Sequence, residues 1–366
     1  MAEDDWAIVV GIKKYFDPQL SGLEGPENDA TEFHRWLVDP QGGNVPGGQA
    51  QLILSSGYPP FTAAASAMPT AEAIKTAFDH FQTVADANAD AGAGRTVGRR
   101  LYLFFSGHGF APSHRDDLTA MLTAEAQTGT AMLSHVIGSY MADHYWRARF
   151  FEEILLFMDC CREIMECAQL YMPYSEERAT NYYTVKRFYA YGARVANASR
   201  EWKMGDGQFH GVFTRTLIDA LRGAGSHPNQ PTKVTAESLS DQLYNTFKAN
   251  LSPFDQARPD IPKEPEIVFE HKPGGDFTIV ELVTLADRVL RLKSAPKTTG
   301  QITIIVSAGN LGETATIRDK DLNSVRDINL EGTPTVDLEL GFYSITVRGG
   351  TPVPFEVIGP RGEIQV

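Results

Sequence analysis

Two residues with complementary chemistry, a histidine and a cysteine, each follow closely on a short apolar run. His108 comes after the run 101–105, and Cys161 comes after the run 154–158. Apolar runs of this length, bounded by turn residues, are typical of buried strands in a parallel sheet. The carboxyl ends of parallel strands meet where open α/β sheets bind their ligands, so we expect the two side chains to lie close together. An imidazole beside a thiol raises the fraction of reactive thiolate and indicates nucleophilic catalysis.

Of the two adjacent cysteines, Cys161 is the predicted nucleophile, because strand alternation turns Cys160 to the opposite face of the sheet. His108 is predicted to act as the general base and then to protonate the leaving amine. Gly107 and Gly109 suit a tight turn, and the backbone N–H groups of Gly109 and Cys161 are candidate oxyanion donors. A thiol that only packs in the core and glycines that only end a strand are the structural alternatives. No residue that orients His108 is identifiable.

The spacing of the pair supports a family resemblance. Cys161 follows His108 by 53 residues, and caspases place their histidine roughly 50 residues before the cysteine. Four segments, in order, resemble motifs of caspase-like cysteine peptidases of the metacaspase and bacterial orthocaspase branch: the first strand at 6–12, the loop and helix start at 23–30, the histidine motif at 106–109 and the nucleophile motif at 159–161. The resemblance covers residues 5–270. It implies an α/β fold in which a mostly parallel sheet is flanked by helices on both faces.

The resemblance also implies a specificity. Animal caspases that cleave after Asp carry Gln two residues before the nucleophile, whereas metacaspases carry Asp there and a second Asp in the loop before the first helix. Asp159 and Asp29 match these two positions. Two carboxylates in one pocket would pair best with a guanidinium, so cleavage after Arg, in preference to Lys, is predicted. Ser199, in the loop that follows the fifth strand in the resembling fold, is a further candidate for substrate binding.

Structural roles for both acids stay open. Asp159 would then cap a backbone turn, and Asp29 would be an ordinary acid in the first turn of a helix. The chain also departs from the family pattern, because Arg162 follows the nucleophile where metacaspases have His and the following residues differ too. The shape of the nucleophile loop is therefore open. In the same loop region, Trp202 is a candidate either for a subsite or for packing.

Basic residues after the nucleophile lie where relatives of the resembling family are processed, and with a basic specificity they become candidate self-cleavage sites: Arg162, Arg178, Lys186 and Arg187. Ordinary solvated basic residues are the equal alternative. Asp116 and Asp117 leave open a calcium site of the kind that some metacaspases use, but two acids alone are weak evidence. No metal or other cofactor is predicted to be required.

Composition narrows the class of protein. The 366 residues are 42% hydrophobic and carry a formal net charge of −13, which argues against nucleic-acid partners and suits basic substrates. No apolar run approaches the length of a membrane span, and the acidic residues at the start of the sequence do not resemble a signal peptide, so a cytoplasmic protein without membrane insertion is predicted. Three cysteines within eight residues, at 160, 161 and 167, cannot form a disulfide framework, and their spacing is poor for zinc.

Alternating apolar segments predict the elements that position the dyad. We expect strands at 6–10, 51–54, 101–105, 118–122, 154–158 and 187–191. We expect helices at 28–37, from the N-cap Thr70 to about 84, at 131–144, 212–221 and 236–250. The Ala- and Gly-rich stretch 85–100 is predicted to be a loop.

The pattern changes after about residue 252. Five prolines between 253 and 273 indicate an extended closing segment, and 277–292 a helix or strand-helix connector. From Gln301 onward the apolar residues alternate, which predicts a small antiparallel, sandwich-like β domain. The predicted domains are a caspase-like peptidase domain at 1–275, a connector at 276–299 and the β domain at 300–366. The β domain is either a structural appendage or a protein-binding module.

The predicted function is therefore that of a cysteine endopeptidase that cleaves proteins or peptides after basic residues. Analogy with the resembling family suggests a regulated prokaryotic protease in cell death or antiviral defence, with an activating protein partner as one option. The alternative is a latent caspase-fold scaffold that acts through its β domain. A thiol hydrolase of small amides shares the same dyad and is the third hypothesis.

Overall fold

The computed structural model describes residues 2–128, 133–166, 170–174, 178–205, 207–269, 275–282, 299–319, 324–339, 341–348, 350, 352–357 and 361–366. The chain divides into two compact units, the first comprising Met1–Trp202 and His210–Arg288 and the second Lys203–Phe209 and Val289–Val366. The predicted domain boundaries at 275 and 299 stay predictions, since residues 270–274 and 283–298 lie outside the described ranges.

The first unit contains fourteen described strands, which are listed here in chain order: β1 (Asp5–Gly11), β2 (Ala50–Leu54), β3 (Gly98–Gly107), β4 (Gly109–Pro112), β5 (Ala120–Leu122), β6 (His135–Ile137), β7 (Phe151–Cys160), β8 (Ile164–Met165), β9 (Lys186–Tyr191), β10 (Glu201–Lys203), β11 (Phe209–Gly211), β12 (Lys233–Thr235), β13 (Glu266–Phe269) and β14 (Thr278–Glu281). Two of these strands, β10 and β11, extend into the segment that groups with the second unit. The helices are α1 (Pro26–Val38), α2 (Ala71–Asp90), α3 (Gly138–Ala148), α4 (Val212–Asp219), α5 (Ala236–Asn250) and α6 (Pro253–Ala257).

A six-stranded sheet with the order β13-β9-β7-β3-β1-β2 forms the centre of the first unit. Every neighbouring pair is parallel except β13 with β9, which is antiparallel. The two central strands, β3 and β7, are almost entirely buried, as expected for strands covered on both faces. Their near-continuous apolar sequences therefore predicted the correct position in the sheet.

Helices cover both faces of this sheet, as predicted. Successive side chains of a strand point to opposite faces. Phe104 stacks on Phe33 of α1 with 4.6 Å between ring centroids. The next residue, Phe105, belongs instead to the core on the other face, together with Phe78 of α2 and Tyr145 of α3. The predicted α/β architecture, a mostly parallel sheet with helices on both faces, is thus confirmed.

Strand register brings the two motifs together. In the parallel pair β3–β7, Ser106 is the partner of Asp159, and Gly107 is the partner of Cys160. The chain then leaves both strands at the same edge of the sheet, so His108 and Cys161 follow their strands at the same level. This register agrees with the expectation, drawn from the two apolar runs, that His108 and Cys161 lie close together.

Several elements differ from the predictions. The helix capped by Thr70, whose Oγ1 accepts a hydrogen bond from the Ala73 N–H at 3.0 Å, continues to Asp90 through the predicted loop, because Ala-rich sequence is strongly helix-forming. Instead of one helix over 131–144, strand β6 precedes helix α3. The proline-rich closing segment contains the short helix α6 and the edge strand β13, and the predicted connector begins with strand β14, which pairs with β12.

The second unit confirms the period-2 pattern. It has the strands β15 (Thr299–Ile305), β16 (Thr314–Asp319), β17 (Ser324–Asn329), β18 (Thr335–Glu339), β19 (Gly341–Val347), β20 (Val353–Val357) and β21 (Arg361–Gln365). They form one sheet of order β18-β15-β21 and another of order β17-β16-β19-β20. Ile304 of the first and Ile317 of the second share one buried core, as in a sandwich. All described pairs are antiparallel except β15 with β21.

Candidate active site

A cavity lies at the carboxyl ends of β3 and β7 and collects five of the six predicted site residues among its lining: His108, Cys161, Asp29, Asp159 and Ser199. The sixth, Gly109, lies beside the nucleophile loop. A Cβ atom added to Gly109 would be 2.8 Å from the carbonyl oxygen of Cys161. Residues separated by more than a hundred positions in the chain thus surround one space.

The two adjacent thiols have different surroundings. Cys160 ends β7 inside the apolar core and is 1% exposed, and burial raises its pKa well above the usual value. Cys161 comes after the strand and is partly exposed to the cavity. Burial raises the pKa of the Cys161 thiol too, although the Ser199 N–H and the Arg200 guanidinium partly oppose this. A thiol with a raised pKa needs a neighbouring base to become a nucleophile.

Backbone and ring contacts hold His108 in place. Its Nε2 lies 2.9 Å from the carbonyl oxygen of Ser21. Its backbone N–H donates to the Tyr15 hydroxyl at 2.8 Å, and that hydroxyl donates to the Ile12 carbonyl at 3.0 Å. The two rings pack with centroids 4.8 Å apart. A side chain on Gly107 would place Cβ 2.7 Å from the Tyr15 hydroxyl, so glycine is required for this arrangement.

Asp29 is buried deep in the cavity wall. Its carboxylate accepts hydrogen bonds from the Gly211 N–H at 3.0 Å and from Ser106 Oγ at 3.3 Å, and it lies 3.1 Å from Nδ1 of His210. Burial raises the pKa of Asp29 to about 7, although the contact with His210 opposes the rise and the nearby Asp159 adds to it. Asp29 belongs to the first turn of α1, but these contacts join it to the segment before α4.

Asp159 is also buried and fully engaged by protein donors. Ser199 Oγ donates to one carboxylate oxygen at 2.5 Å, and the Thr214 N–H and Oγ1 donate to the other at 3.0 Å and 2.7 Å. Because Thr214 is in the first turn of α4, Asp159 caps this helix from the end of β7. Burial raises its pKa despite these donors. Asp159 therefore both caps helix α4 and lines the cavity.

One glycine, Gly211, lets the backbone approach both buried acids closely. A Cβ atom built on Gly211 would be 2.0 Å from Asp159 Oδ2 and 3.0 Å from Asp29 Oδ2. Any other residue at this position would collide with the Asp159 carboxylate and crowd Asp29, so glycine is required for this close approach.

The four candidate self-cleavage residues and the candidate subsite residue Trp202 differ in exposure and in position. Arg162 is 2% exposed, and Lys186 and Arg187 lie within β9, so cleavage at these three sites would require unfolding. Arg178 is exposed outside the strands and helices. The Trp202 indole N–H donates to the Asn250 carbonyl at 3.0 Å, and the side chain is not part of the cavity lining.

The calcium and zinc hypotheses gain no support from the described residues. Asp117 is paired with Arg115 through two hydrogen bonds of 2.8 and 2.9 Å. Across the part of the chain that the structure describes, no group of three or more His, Cys, Asp or Glu side chains is placed to hold a metal ion. Cys167 lies outside the described residues.

Among the residues that the structure describes, no helix is both long and apolar enough to cross a membrane.

Sequence reasoning missed several contributors to this site. The Ser21 carbonyl is a backbone group, which carries no signature in residue type. Tyr15 reaches the site from a loop and His210 from the short strand β11, and neither spacing nor periodicity predicts these contacts. Glu201 was not selected as a site residue, although it belongs to the cavity lining.

Comparison with known proteins found similar sequences and structures. A curated relative, a probable protease from a Desulfuromonadales bacterium, is 26% identical over 231 residues, which cover 61% of this chain and 26% of the relative. The chain thus spans about a quarter of the length of that relative. Among solved structures, caspase-1 from Spodoptera frugiperda matches 73% of this chain and 88% of its own with 13% identity and a TM-score of 0.44. A protein from Geobacter sulfurreducens matches 74% and 94% with 15% identity and a TM-score of 0.38.

The family model described as "Caspase domain", of the C14 peptidases, matches residues 4–260. This segment contains the whole six-stranded sheet except its edge strand β13, and every residue that lines the cavity. The chain therefore belongs to the caspase-domain family of peptidases.

Proposed function

We propose that this chain is a cysteine endopeptidase that uses a His108–Cys161 dyad and cleaves proteins after Arg, and less readily after Lys. The observation that carries the proposal is the shared cavity, in which a partly exposed thiol and an imidazole lie with two buried carboxylates. A thiol and base serve acyl transfer, and paired carboxylates serve a cationic side chain.

The chemistry follows from the contacts of His108. Because Nε2 is engaged by the Ser21 carbonyl, Nδ1 is the nitrogen that takes the proton of the Cys161 thiol. The sulfur then attacks the peptide carbonyl carbon, and His108 passes the proton to the leaving amine as the C–N bond breaks. Water hydrolyses the resulting thioester and regenerates the thiol.

We assign the oxyanion site to the N–H groups of Gly109 and Cys161. The N–H of Ala111 in β4 donates to the Glu163 carbonyl, on the side where the nucleophile loop runs. Alternate N–H groups of a strand point the same way, so the Gly109 N–H also points toward that loop. A preorganised donor at such a site stabilises the transition state by about 3 kcal/mol.

Specificity for a basic side chain is assigned to Asp29 and Asp159. Both carboxylates are desolvated, and burial raises the pKa of each. A guanidinium placed between them would stabilise their ionised forms and offers donors in a fork that matches carboxylate geometry. Arg is therefore preferred to Lys. Ser199 supports this pocket indirectly by holding Asp159 through its hydroxyl.

The proposal is tested by fluorophore release from matched peptides that end in Arg, Lys or Asp, with and without calcium. For the wild type we expect turnover of the Arg peptide, slower turnover of the Lys peptide and none of the Asp peptide, and for Cys161→Ala we expect no turnover of any of them. Cleavage after Asp would overturn the pocket assignment while leaving the peptidase. Absence of turnover of all three peptides by protein that is shown to be folded would contradict the proposal.

The biological setting is proposed by analogy alone. Since the curated relative is a bacterial probable protease, we propose a regulated cytoplasmic protease of a prokaryote that acts in cell death or antiviral defence. Its partners would be protein substrates and a protein that activates it. No nucleic-acid partner is proposed, because the formal net charge is −13.

A further inference from the structure

A second cavity, of about 250 Å³, is lined by Lys14, Tyr15, Gly22, Pro60 and Phe61. None of these residues belongs to the lining of the cavity that holds the dyad. The walls of the second cavity come from the loop that follows β1 and from the segment that follows β2. The second cavity is therefore a separate space at the same edge of the sheet.

Two contacts connect the second cavity to His108. The Tyr15 ring packs on the imidazole with 4.8 Å between centroids. Gly22 directly follows Ser21, whose carbonyl oxygen lies 2.9 Å from His108 Nε2. In the strand order β7-β3-β1-β2, Cys161 follows the first strand, His108 follows the second, and the cavity walls follow the last two. The imidazole thus lies between the thiol and the second cavity along the sheet edge.

The proposed chemistry gives this order a meaning. His108 is the proposed proton donor to the leaving amine, so the part of the substrate that follows the cleaved bond must pass on the His108 side of the sulfur. The residue before the cleaved bond is held, in the same proposal, beside Asp29 and Asp159. The leaving segment is therefore directed toward the second cavity.

The walls of the second cavity are held in place by the rest of the fold. The Lys13 N–H donates to Ser55 Oγ at 3.1 Å, which joins the loop after β1 to the segment after β2. The Lys13 ammonium pairs with Glu27 at 2.6 Å. Phe61 is half-buried against the main apolar core, and Pro60 restricts the backbone before it. A preformed wall binds a ligand without first having to be ordered.

Lys14 is the one charged residue in the described lining of the second cavity. It is exposed, and no acid pairs with its ammonium in the ranges that the structure describes, whereas its neighbour Lys13 is paired with Glu27. The rings of Tyr15 and Phe61 provide apolar surface next to this cation. The second cavity therefore favours a side chain with a short apolar stem and an anionic end, which describes glutamate.

We propose that the second cavity binds a glutamate of the substrate at one of the first two positions after the cleaved bond. Its carboxylate pairs with Lys14, and its methylene groups pack against Tyr15 and Phe61. This inference rests on the proposed peptidase function and deepens it, because it adds a preference on the leaving side of the cleaved bond.

The test uses two internally quenched peptides that retain the leaving segment. Both have Arg before the cleaved bond, followed by Glu-Glu in one and Gln-Gln in the other. We expect the wild type to favour the Glu peptide by about two- to fivefold in kcat/KM, which is the range of an exposed ion pair, and we expect added salt to reduce this ratio. Lys14→Met should bring the ratio to about one, and Lys14→Glu should reverse it.

Lys248→Met and Lys248→Glu are the matched controls, since Lys248 is an exposed lysine of α5 outside the second cavity. They change the net charge by the same amount and should keep the wild-type ratio. Equal turnover of the two peptides by the wild type, or an unchanged ratio in Lys14→Met, would overturn the inference. An equal change in the Lys248 variants would also overturn it, because the preference would then reflect the net charge of the protein.

The Arg peptide that releases a fluorophore has no leaving segment, so it reports the proposed function separately. If the wild type cleaves that peptide and treats Glu-Glu and Gln-Gln alike, the peptidase stands and the role of the second cavity fails. If the folded wild type cleaves none of the three peptides, the proposed function fails and this inference fails with it.

Discussion

The guanidinium of Arg162, the residue directly after Cys161, pairs with Glu266 on the edge strand β13, with 2.9 Å between Nη1 and Oε2. The same guanidinium stacks over the ring of Tyr191, 4.4 Å from its centroid. The nucleophile loop is thereby attached to the last two strands on that side of the sheet. Arg162 is one of the departures from the family motif, and its side chain has a defined place in the core.

We predict that Arg162→Met lowers the free energy of unfolding by about 1–3 kcal/mol and lowers kcat more than it raises KM. The methionine side chain would still pack, but the ion pair of the buried guanidinium with the partly exposed Glu266, which anchors the loop, would be lost. Chemical denaturation and peptide kinetics measure the two effects. Arg194→Met is the control, since its ion pair with Glu264 is about half exposed on both sides and should contribute less than 1 kcal/mol. Equal effects in the two variants would contradict the prediction.

We predict that Tyr15→Phe reduces kcat by roughly tenfold with little change in KM. The variant removes the hydroxyl that accepts from the His108 backbone N–H and donates to Ile12, while the packed ring remains. Steady-state kinetics on the Arg peptide measure the effect. Tyr183→Phe, at an exposed tyrosine, serves as the control. A change confined to KM would indicate that Tyr15 contacts substrate instead of positioning His108.

Substitutions of the two cysteines should have different effects on turnover and on labelling. Cys161→Ala is expected to abolish turnover and to prevent labelling by an arginyl chloromethyl ketone, whereas Cys160→Ala should be labelled and active. Since Cys160 is buried in the core, its truncation should lower the free energy of unfolding by about 1 kcal/mol. Intact-mass spectrometry identifies the labelled protein. A label on Cys160 would reverse the assignment of the nucleophile.

The pKa of Asp29 gives a pH prediction for stability. Burial raises it from 3.8 in a model compound to about 7 in the folded protein, so the folded state retains a proton over this range that the unfolded state releases. The contribution of Asp29 to the free energy of unfolding is therefore present below about pH 4 and is lost as the pH rises to about 7. Relative to wild type, Asp29→Asn should gain stability between these pH values, by up to a few kcal/mol.

Urea unfolding of both proteins at pH 4.5, 6 and 7.5 checks this expectation, with the exposed Asp116→Asn as the control. The same titration predicts that kcat/KM for the Arg peptide falls as the pH drops through about 7, because a neutral Asp29 no longer attracts the cation. A peptide that ends in citrulline, the neutral isostere of Arg, should not show this component. A constant stability difference between Asp29→Asn and wild type at the three pH values would refute the assignment.

We predict that self-cleavage occurs after Arg178, one of the four candidate residues. Arg178 is exposed outside the strands and helices, whereas Arg162 is buried and the other two belong to β9. We expect active protein to yield fragments that begin after Arg178 and expect none from Arg178→Ala or Cys161→Ala. Terminal sequencing of the fragments decides this, and cleavage within β9 would contradict the accessibility argument.

The position of His108 and Cys161 could be predicted because burial and strand ends leave a local signature. Two apolar runs indicated the central strands, and their parallel pairing places both residues at the same edge of the sheet. The contacts around Asp29 have no such signature, since His210 lies 181 residues away and arrives through a short hairpin. The strand β13 was missed because its four residues follow a proline-rich stretch, and only pairing with β9 makes them a strand.

Gly211 has a consequence for altering this enzyme. A Cβ atom there would collide with Asp159 and displace its carboxylate, so the proposed charge preference would be lost without a change to any carboxylate or to the proposed dyad. A library that seeks new specificity should keep this glycine fixed and vary the acids around it. Conversely, a methyl group there would be a compact way to remove the proposed recognition of basic residues while leaving the thiol reactive toward small alkylating reagents.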